Sequence, residues 1–336
     1  MIQAYAALEA KKALEPFEFD PGPLGPEQVE IEVQYCGLCH SDLSMLENDW
    51  GMSAFPLVGG HEVVGKIAAV GDEVKARKAG DTVGLGWYSQ SCMSCRQCLS
   101  GNHNLCPNVE STIVHRHGGF ASRVRCHWAW ATPLPAGIDL AKAGPLFCGG
   151  VTVFNPFVIS GVRPTARVGV IGIGGLGHMA LQFARHWGCE VVAFTSSDSK
   201  RDEAMKLGAH EVVNSRDAAQ LQKVANSLDL IVCTANASLP WDAIIGSLAP
   251  NGRLHFVGAV LEPIPVAAFA LISGQKAVSG SPLGSISTTL SMLDFCARHK
   301  IEPVIESYPM SKINDALERL KSGKARYRIV LENDFH

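Results

Sequence analysis

A strand, a glycine-rich turn and a helix follow one another over residues 167–187, and this junction limits the possible folds more than any other part of the chain. Arg167-Val168-Gly169-Val170-Ile171 reads as a buried strand, Gly172-Ile173-Gly174-Gly175-Leu176-Gly177 follows it, and the pattern from Leu176 to Trp187 is helical. In Gly172-x-Gly174-x-x-Gly177 the first glycine permits a tight turn. The second lets the backbone approach a pyrophosphate, and the third lets the helix pack close to the strand. The helix start adds unpaired N–H groups and the positive end of its dipole. A glycine-rich turn can be purely structural, but this one lies between strand and helix, where a dinucleotide fingerprint belongs. Gly172, Gly174, Gly175, Leu176 and Gly177 are therefore read as cofactor-binding. Further strand patterns at 190–195, 211–213, 228–233, 252–258 and 276–279 alternate with helices, which predicts a doubly wound parallel sheet over 151–284. Gly258, closing the fourth of these patterns, is assigned to the same cofactor site.

The cofactor's identity should be written about twenty residues past the fingerprint, at the end of the second strand. An acidic side chain there takes the ribose 2′-OH of NAD. This chain has Thr195-Ser196-Ser197-Asp198-Ser199-Lys200-Arg201, with hydroxyls first and cations after them. Thr195, Ser196, Ser197 and Lys200 offer donors and positive charge to a 2′-phosphate, so NADP(H) is expected. If Asp198, and not Thr195 or Ser196, faces the ribose, NAD becomes possible as the cofactor.

Residues 1–150 have a different texture. Val29-Glu30-Ile31-Glu32-Val33 alternates as a half-buried strand does, and strand-like runs at 63–71 and 81–84 are punctuated by turns. The segment 285–336 carries helices at 288–299 and 313–320 and a strand at 327–331. It is too short for a third domain and is expected to return and complete the first.

Cys92, Cys95, Cys98 and Cys106 place four thiols within fifteen residues, in the run Cys-x2-Cys-x2-Cys-x7-Cys. Four protein ligands close a tetrahedral zinc site and leave no open position, so this metal should hold a loop and do no chemistry. The polar neighbours Ser91, Ser94, Arg96, Gln97, Ser100, Asn102 and His103 argue against four inert buried thiols, and the loop lacks the basic residues of a nucleic-acid zinc ribbon.

Eleven cysteines, an odd and clustered set, fit metal ligation better than a disulfide framework. Of these, Cys36, Cys126, Cys189, Cys233 and Cys296 read as buried small residues. A charged fraction of 18% and a net charge of −3 supply no basic field for nucleic acid or an anionic membrane. No secretory signal or membrane span is visible, and a cytoplasmic protein is expected.

Gly37-Leu38-Cys39-His40-Ser41-Asp42, Gly60-His61-Glu62, the four-cysteine loop, Cys148-Gly149-Gly150-Val151-Thr152-Val153 and the fingerprint occur in this order. The set resembles the zinc-dependent medium-chain alcohol dehydrogenase/reductase family. Within it the chain is most similar to the cinnamyl alcohol dehydrogenase group and to bacterial NADPH-dependent aldehyde reductases. The resemblance runs almost end to end. It implies a Rossmann domain beside a β-rich GroES-like catalytic domain, and a homodimer. It also implies two zinc ions per chain, the catalytic one on Cys39, His61 and Cys148 with Glu62 as a possible fourth ligand. Asp42 would fix the tautomer of His61, and Ser41 would stand beside the reacting oxygen. The implied reaction is reversible hydride transfer between NADP(H) and aldehydes or primary alcohols, aromatic or medium-chain aliphatic, in a pocket between domains. Trp50, Met52 and Trp87 are candidate pocket walls or ordinary core residues. Ser44 stands where many members have a histidine that passes the proton outward, which leaves that outer path open; His40 is nearby. Two other readings compete: an NAD-dependent alcohol or polyol dehydrogenase, and a zinc- and nucleotide-binding protein without catalysis.

Overall fold

The computed structural model describes every residue except Ser197, Leu261 and His336, and at Asp198 the backbone alone. The chain divides into two compact units, one of residues 1–148 and 285–336, the other of residues 149–284.

The second unit is built on six parallel strands. Numbered along the chain they are Arg167–Ile171, Glu190–Thr195, Glu211–Asn214, Leu228–Cys233, Leu248–Phe256 and Ala277–Gly280, and they lie side by side in the order 3-2-1-4-5-6. The central strands are near-continuous apolar runs because helices cover both faces of such a sheet. Val168, Val170, Val192, Phe194, Ile231 and Leu254 are all buried. The strand order reverses between Arg167–Ile171 and Leu228–Cys233, and the glycine loop leaves the first of these at the reversal. That is where open α/β sheets bind ligands. The helix Gly177–Trp187 ends on Gly188 in the left-handed region (φ 104°), which caps its last carbonyls.

One helix of this unit runs against its local sequence. Gly149–Ile159 contains two glycines, the β-branched run Val151-Thr152-Val153 and an internal Pro156, yet it is helical. Nine of its eleven residues are buried, and Phe154 meets Phe183 and Trp187 edge to face at 5.3 and 5.5 Å. Tertiary burial overrides weak propensity here.

The first unit is β-rich. Its main sheet runs Ile305–Pro309, Arg328–Glu332, Gln28–Leu38, Val63–Val70, Thr82–Leu85, Thr132–Pro133, with Arg123–His127 added alongside Gln28–Leu38. The strand Gln28–Leu38 is the hub. It pairs antiparallel with Val63–Val70, with Arg123–His127 and with the late strand Arg328–Glu332. These pairings bring residue 328 beside residues near 38 and 62, far apart in the chain. Ile31, Leu38, Ile67, Leu85 and Phe120 are fully buried in the core below. No described helix is long and apolar enough to cross a membrane.

Candidate functional site

Two groups of metal-ligating side chains converge among the described residues, and both lie in the first unit. The local one is the four-cysteine loop. The Cys92 sulfur lies 4.0 Å from that of Cys98 and 3.5 Å from that of Cys106, and Cys95 and Cys106 are 3.8 Å apart. Four sulfurs held at about 2.3 Å from one zinc ion would stand about 3.8 Å from each other. The spacing fits that ion. The Cys92 sulfur also accepts the Cys95 N–H, and Cys95 accepts that of Cys98. Backbone N–H groups of Ser94 and Cys95 pull the Cys92 thiol down to about 6, toward a thiolate, while burial and the neighbouring thiols push Cys98 up to about 12. The helix inside the loop, Arg96–Leu99, is a single turn and has no stability of its own. If the loop holds the ion its spacing fits, Cys106→Ala is expected to release it and to open residues 91–111 to protease, with cleavage beside the exposed Leu99. Metal analysis and limited proteolysis read this. Unchanged protease resistance after metal loss would show that the loop's own packing suffices.

The second group is Cys39, His61, Glu62 and Cys148. Cys39 follows directly on the hub strand and caps the helix His40–Glu47. Asp42, in the first turn, is fully buried and organises the centre. Its Oδ2 accepts the Cys39 N–H at 2.9 Å, while its Oδ1 accepts the Gly60 N–H at 2.9 Å and faces His61 Nδ1 at 2.9 Å. A carboxylate can only accept, so Nδ1 carries the ring proton and Nε2 is left as a ligand. Gly60 makes the turn possible: its φ is +92°, and a Cβ there would lie 2.6 Å from the Phe120 nitrogen. Cys148 arrives from the other side, between the 3-10 turn Gly144–Phe147 and the helix Gly149–Ile159. Its sulfur lies 3.9 Å from that of Cys39 and 3.3 Å from His61 Nε2. Tetrahedral zinc would set these at about 3.8 and 3.6 Å.

The electrostatics suit a cation. The hydrogen bond from Cys148 holds the Cys39 thiol well below its usual range against the effect of burial, and the Arg328 guanidinium adds to it; the same bond raises Cys148. Burial pushes the Glu62 carboxyl up to about 7, against the pull of Arg328. Glu62 Oε1 accepts a hydrogen bond from Arg328, whereas the buried Oε2 has no partner. An orphaned carboxylate oxygen beside two thiols and an imidazole is a donor set that fits a divalent cation. By contrast, the thiols of Cys126 and Cys296 are buried and pushed up to about 12, and those of Cys189 and Cys233 to about 11, which keeps them neutral and inert. Cys36 is buried as well, and its thiol is raised too.

Around the group, the Ser41 hydroxyl is 3.8 Å from the Cys39 sulfur. Trp87 stands edge to face with His61 at 4.9 Å and with Trp50 at 5.9 Å. Trp50 and Met52 are exposed, at 36% and 42%. Ser44 is buried and His40 exposed.

In the second unit each fingerprint glycine meets a distinct demand. Gly172 has φ +88°. A Cβ on Gly177 would fall 1.8 Å from the Gly172 carbonyl oxygen, and one on Gly174 would meet nothing within 4 Å. The loop is thus tight on its protein side and open where a pyrophosphate would lie. The Thr234 hydroxyl donates to the carbonyls of Ile171 and Gly172. The Gly258 N–H donates to the Cys233 carbonyl, and a Cβ on Gly258 would lie 2.8 Å from the Thr234 carbonyl oxygen. At the end of the second strand Thr195 is buried and Ser196 exposed; Ser197 lies outside the described residues. The Lys200 ammonium donates to the Ile173 carbonyl at 3.0 Å, beside the fingerprint, while Arg201 turns back to the Val212 carbonyl.

Arg328 was not singled out from the sequence. It lies 266 positions from Glu62 and carries no motif of its own; only the pairing of Arg328–Glu332 with the hub strand reveals it.

Comparison with known proteins gives a consistent result. Residues 25–136 match the alcohol dehydrogenase GroES-like domain family, and residues 175–298 match the zinc-binding dehydrogenase family. The chain is 56% identical to aldehyde reductase AdhA of Synechocystis sp. over 333 residues, which cover 99% of both chains. A cinnamyl alcohol dehydrogenase from Sorghum bicolor, SbCAD4, superposes with a TM-score of 0.93 at 38% identity, over 98% of this chain and 97% of that one. The cinnamyl alcohol dehydrogenase of Helicobacter pylori, solved in complex with NADP(H), gives 0.89 at 30% identity with the same coverage.

Proposed function

The chain belongs to the zinc-dependent medium-chain family of alcohol dehydrogenases and aldehyde reductases, and from that footing we propose that it is a zinc- and NADP(H)-dependent enzyme interconverting aldehydes and primary alcohols. The observation that carries the reading is the convergence of Cys39, His61 and Cys148, with the His61 tautomer fixed by buried Asp42. Three protein ligands and an open position are the arrangement the catalytic zinc of alcohol dehydrogenase takes, which is the worked case of the general rule. Cys92, Cys95, Cys98 and Cys106 would hold a second zinc.

When bound, zinc supplies a Lewis acid and the reduced dinucleotide supplies the hydride. The chain's own groups do the rest. Asp42 keeps Nε2 of His61 free of a proton. Glu62 is the carboxylate that could enter the ligand set while substrate is absent. The Ser41 hydroxyl, at the edge of the group, passes a proton to the oxygen of the product. Trp87 and Trp50 give the site an apolar, aromatic flank that suits aromatic or medium-chain aldehydes.

Preference for NADP(H) is supported by a second-strand end with exposed Ser196 and no carboxylate at Thr195 or Ser196, and by the Lys200 ammonium beside the fingerprint. The bound NADP(H) of the H. pylori relative agrees with it. Ser196→Asp would put a like charge against a 2′-phosphate, at a cost of about 1–4 kcal/mol for a separation of about 4 Å. It is expected to lower kcat/KM for NADPH by about tenfold or more while sparing NADH. Steady-state rates with both cofactors measure it, and an equal effect on the two would remove Ser196 from the phosphate site.

A homodimer is the assembly the family resemblance implies; the six-stranded sheet leaves both outer strands, Glu211–Asn214 and Ala277–Gly280, without a further partner strand among the described residues. Eleven free cysteines fit a reducing, cytoplasmic setting.

The direct test follows the absorbance of reduced nicotinamide with benzaldehyde or cinnamaldehyde and either cofactor. Fast turnover with NADPH is expected. Preference for NADH would favour the NAD-dependent alcohol or polyol reading, and no turnover by zinc-replete protein would overturn the aldehyde assignment.

A further inference from the structure

The second residue of the helix behind the glycine loop is a histidine that neither the zinc chemistry nor the fingerprint accounts for. His178 is fully buried. Its main-chain N–H donates to the Gly174 carbonyl at 3.1 Å, and its ring Nδ1 lies 3.0 Å from the same oxygen. A carbonyl oxygen only accepts, so Nδ1 carries a proton and donates it. One residue earlier, the Ile173 carbonyl takes the Lys200 ammonium. Two successive carbonyls of the loop are therefore each held by a side chain from the protein side.

The consequence follows from peptide geometry. In a planar trans peptide the C=O and the N–H point in opposite directions. Holding the carbonyls of Ile173 and Gly174 inward turns the N–H groups of Gly174 and Gly175 outward. Those two residues are glycines and precede the helix, so the backbone there has more rotational freedom than any other residue type would allow. The His178 main-chain N–H already holds the Gly174 carbonyl, and the ring adds a second bond to the same oxygen; without the side-chain bonds, part of the binding energy of a phosphate would be spent on fixing these two peptides. Packing alone does not call for a histidine: an imidazole costs free energy in an apolar interior unless it is hydrogen-bonded, and an apolar ring would fill the same space.

We propose that His178 is a positioning residue for the pyrophosphate: its Nδ1–H pins the Gly174 carbonyl and so presets the loop N–H groups that receive the cofactor's phosphates. The proposal rests on the dinucleotide reading of this unit. It concerns the pyrophosphate end of the cofactor and not the 2′-phosphate end.

The test measures binding of NADP⁺ and of 2′-AMP, which keeps the adenosine and the 2′-phosphate but lacks the pyrophosphate, to the full-length protein by calorimetry. One neutral hydrogen bond contributes about 0.5–1.5 kcal/mol net, or about two- to twelvefold. His178→Phe is expected to weaken NADP⁺ by up to about tenfold, to leave 2′-AMP unchanged, and to raise KM for NADPH with kcat at saturation unaltered. His178→Asn, whose amide sits where Nδ1 does, is expected to stay near wild type. His178→Gln, whose amide reaches the Nε2 position, is expected to weaken NADP⁺ as Phe does. The Asn–Gln comparison decides the matter if the Phe variant does not fold. Undiminished NADP⁺ binding in the Phe and Gln variants, equal weakening of NADP⁺ and 2′-AMP, or failure of Asn to restore binding would each overturn the proposal. Wild-type protein that binds neither NADP⁺ nor NAD⁺ is a separate result, which removes the dinucleotide reading itself.

Discussion

Cys148→Ala is expected to lower kcat/KM by about a thousandfold or more and to cost the chain one of the two zinc ions proposed above, with the fold intact. Lewis-acid stabilisation of the developing charge contributes several kcal/mol, and each 1.36 kcal/mol is a factor of ten in rate. The substitution removes one of the three proposed ligands while sparing the framework that holds the others. Asp42 keeps its bonds to the Cys39 N–H, the Gly60 N–H and His61. Cys148 is the cleanest choice for this reason. Cys39 also caps a helix, and truncating His61 would take one of the partners of the buried Asp42. Cys106→Ala should remove the other zinc and behave differently, loosening a loop without the same loss of chemistry. Cys148→Ala protein that retains full activity would sink the ligand assignment, and so would one that keeps both zinc ions.

Arg328→Leu should destabilise the fold around the site, most strongly at alkaline pH, where Glu62 stays ionised. Arg328 and Glu62 are both buried, at 5% and 0% exposure, and pair with each other. Removing one partner of a buried ion pair typically costs about 3–5 kcal/mol. Burial already raises the Glu62 carboxyl to about 7 beside Arg328, so without the guanidinium it takes up a proton near neutral pH, and the full cost is expected only above that range. Glu62 has little room to escape. A Cβ on Gly37 would lie 2.0 Å from Glu62 Oε2, and one on Gly144 would lie 2.6 Å from the Glu62 carbonyl oxygen. Urea unfolding of metal-free protein should show the loss. Arg328→Leu combined with Glu62→Met should recover more than half of it, since an apolar pair of similar volume has no charge to desolvate. A double variant no more stable than the single one would show that Arg328 acts through packing and not through the charge of Glu62.

Much of the fold class was legible because its signals are local. A buried strand, three spaced glycines and an amphipathic helix are contiguous, and the strands that alternate with helices after them lie where their apolar runs put them. The elements that could not be read are those whose local preferences oppose their environment. Gly149–Ile159 has the composition of a strand or a turn and is helical because it is enclosed on nearly every side. His40–Glu47 is eight residues with weak amphipathic character, held by the Cys39–Asp42 capping interactions and by burial of Leu43, Met45 and Leu46. Helices that short have no independent stability, so their sequences need not advertise them.

The division is similar at the sites. By itself the sequence determined the four-cysteine loop as a unit, since fifteen residues cannot place those sulfurs far apart, and it determined the strand–glycine–helix junction, whose demands on φ and on close approach are met within six residues. Only the tertiary structure decided the rest. Cys39 and Cys148 are 109 positions apart, and Glu62 and Arg328 are 266 apart. Their meeting depends on the register of the hub strand Gln28–Leu38 against Val63–Val70 and Arg328–Glu332. A one-residue slip in such a register turns every side chain to the opposite face of the sheet. Nothing in the spacing of single cysteines, a histidine, a glutamate and an arginine records that register; the packing of the whole unit does.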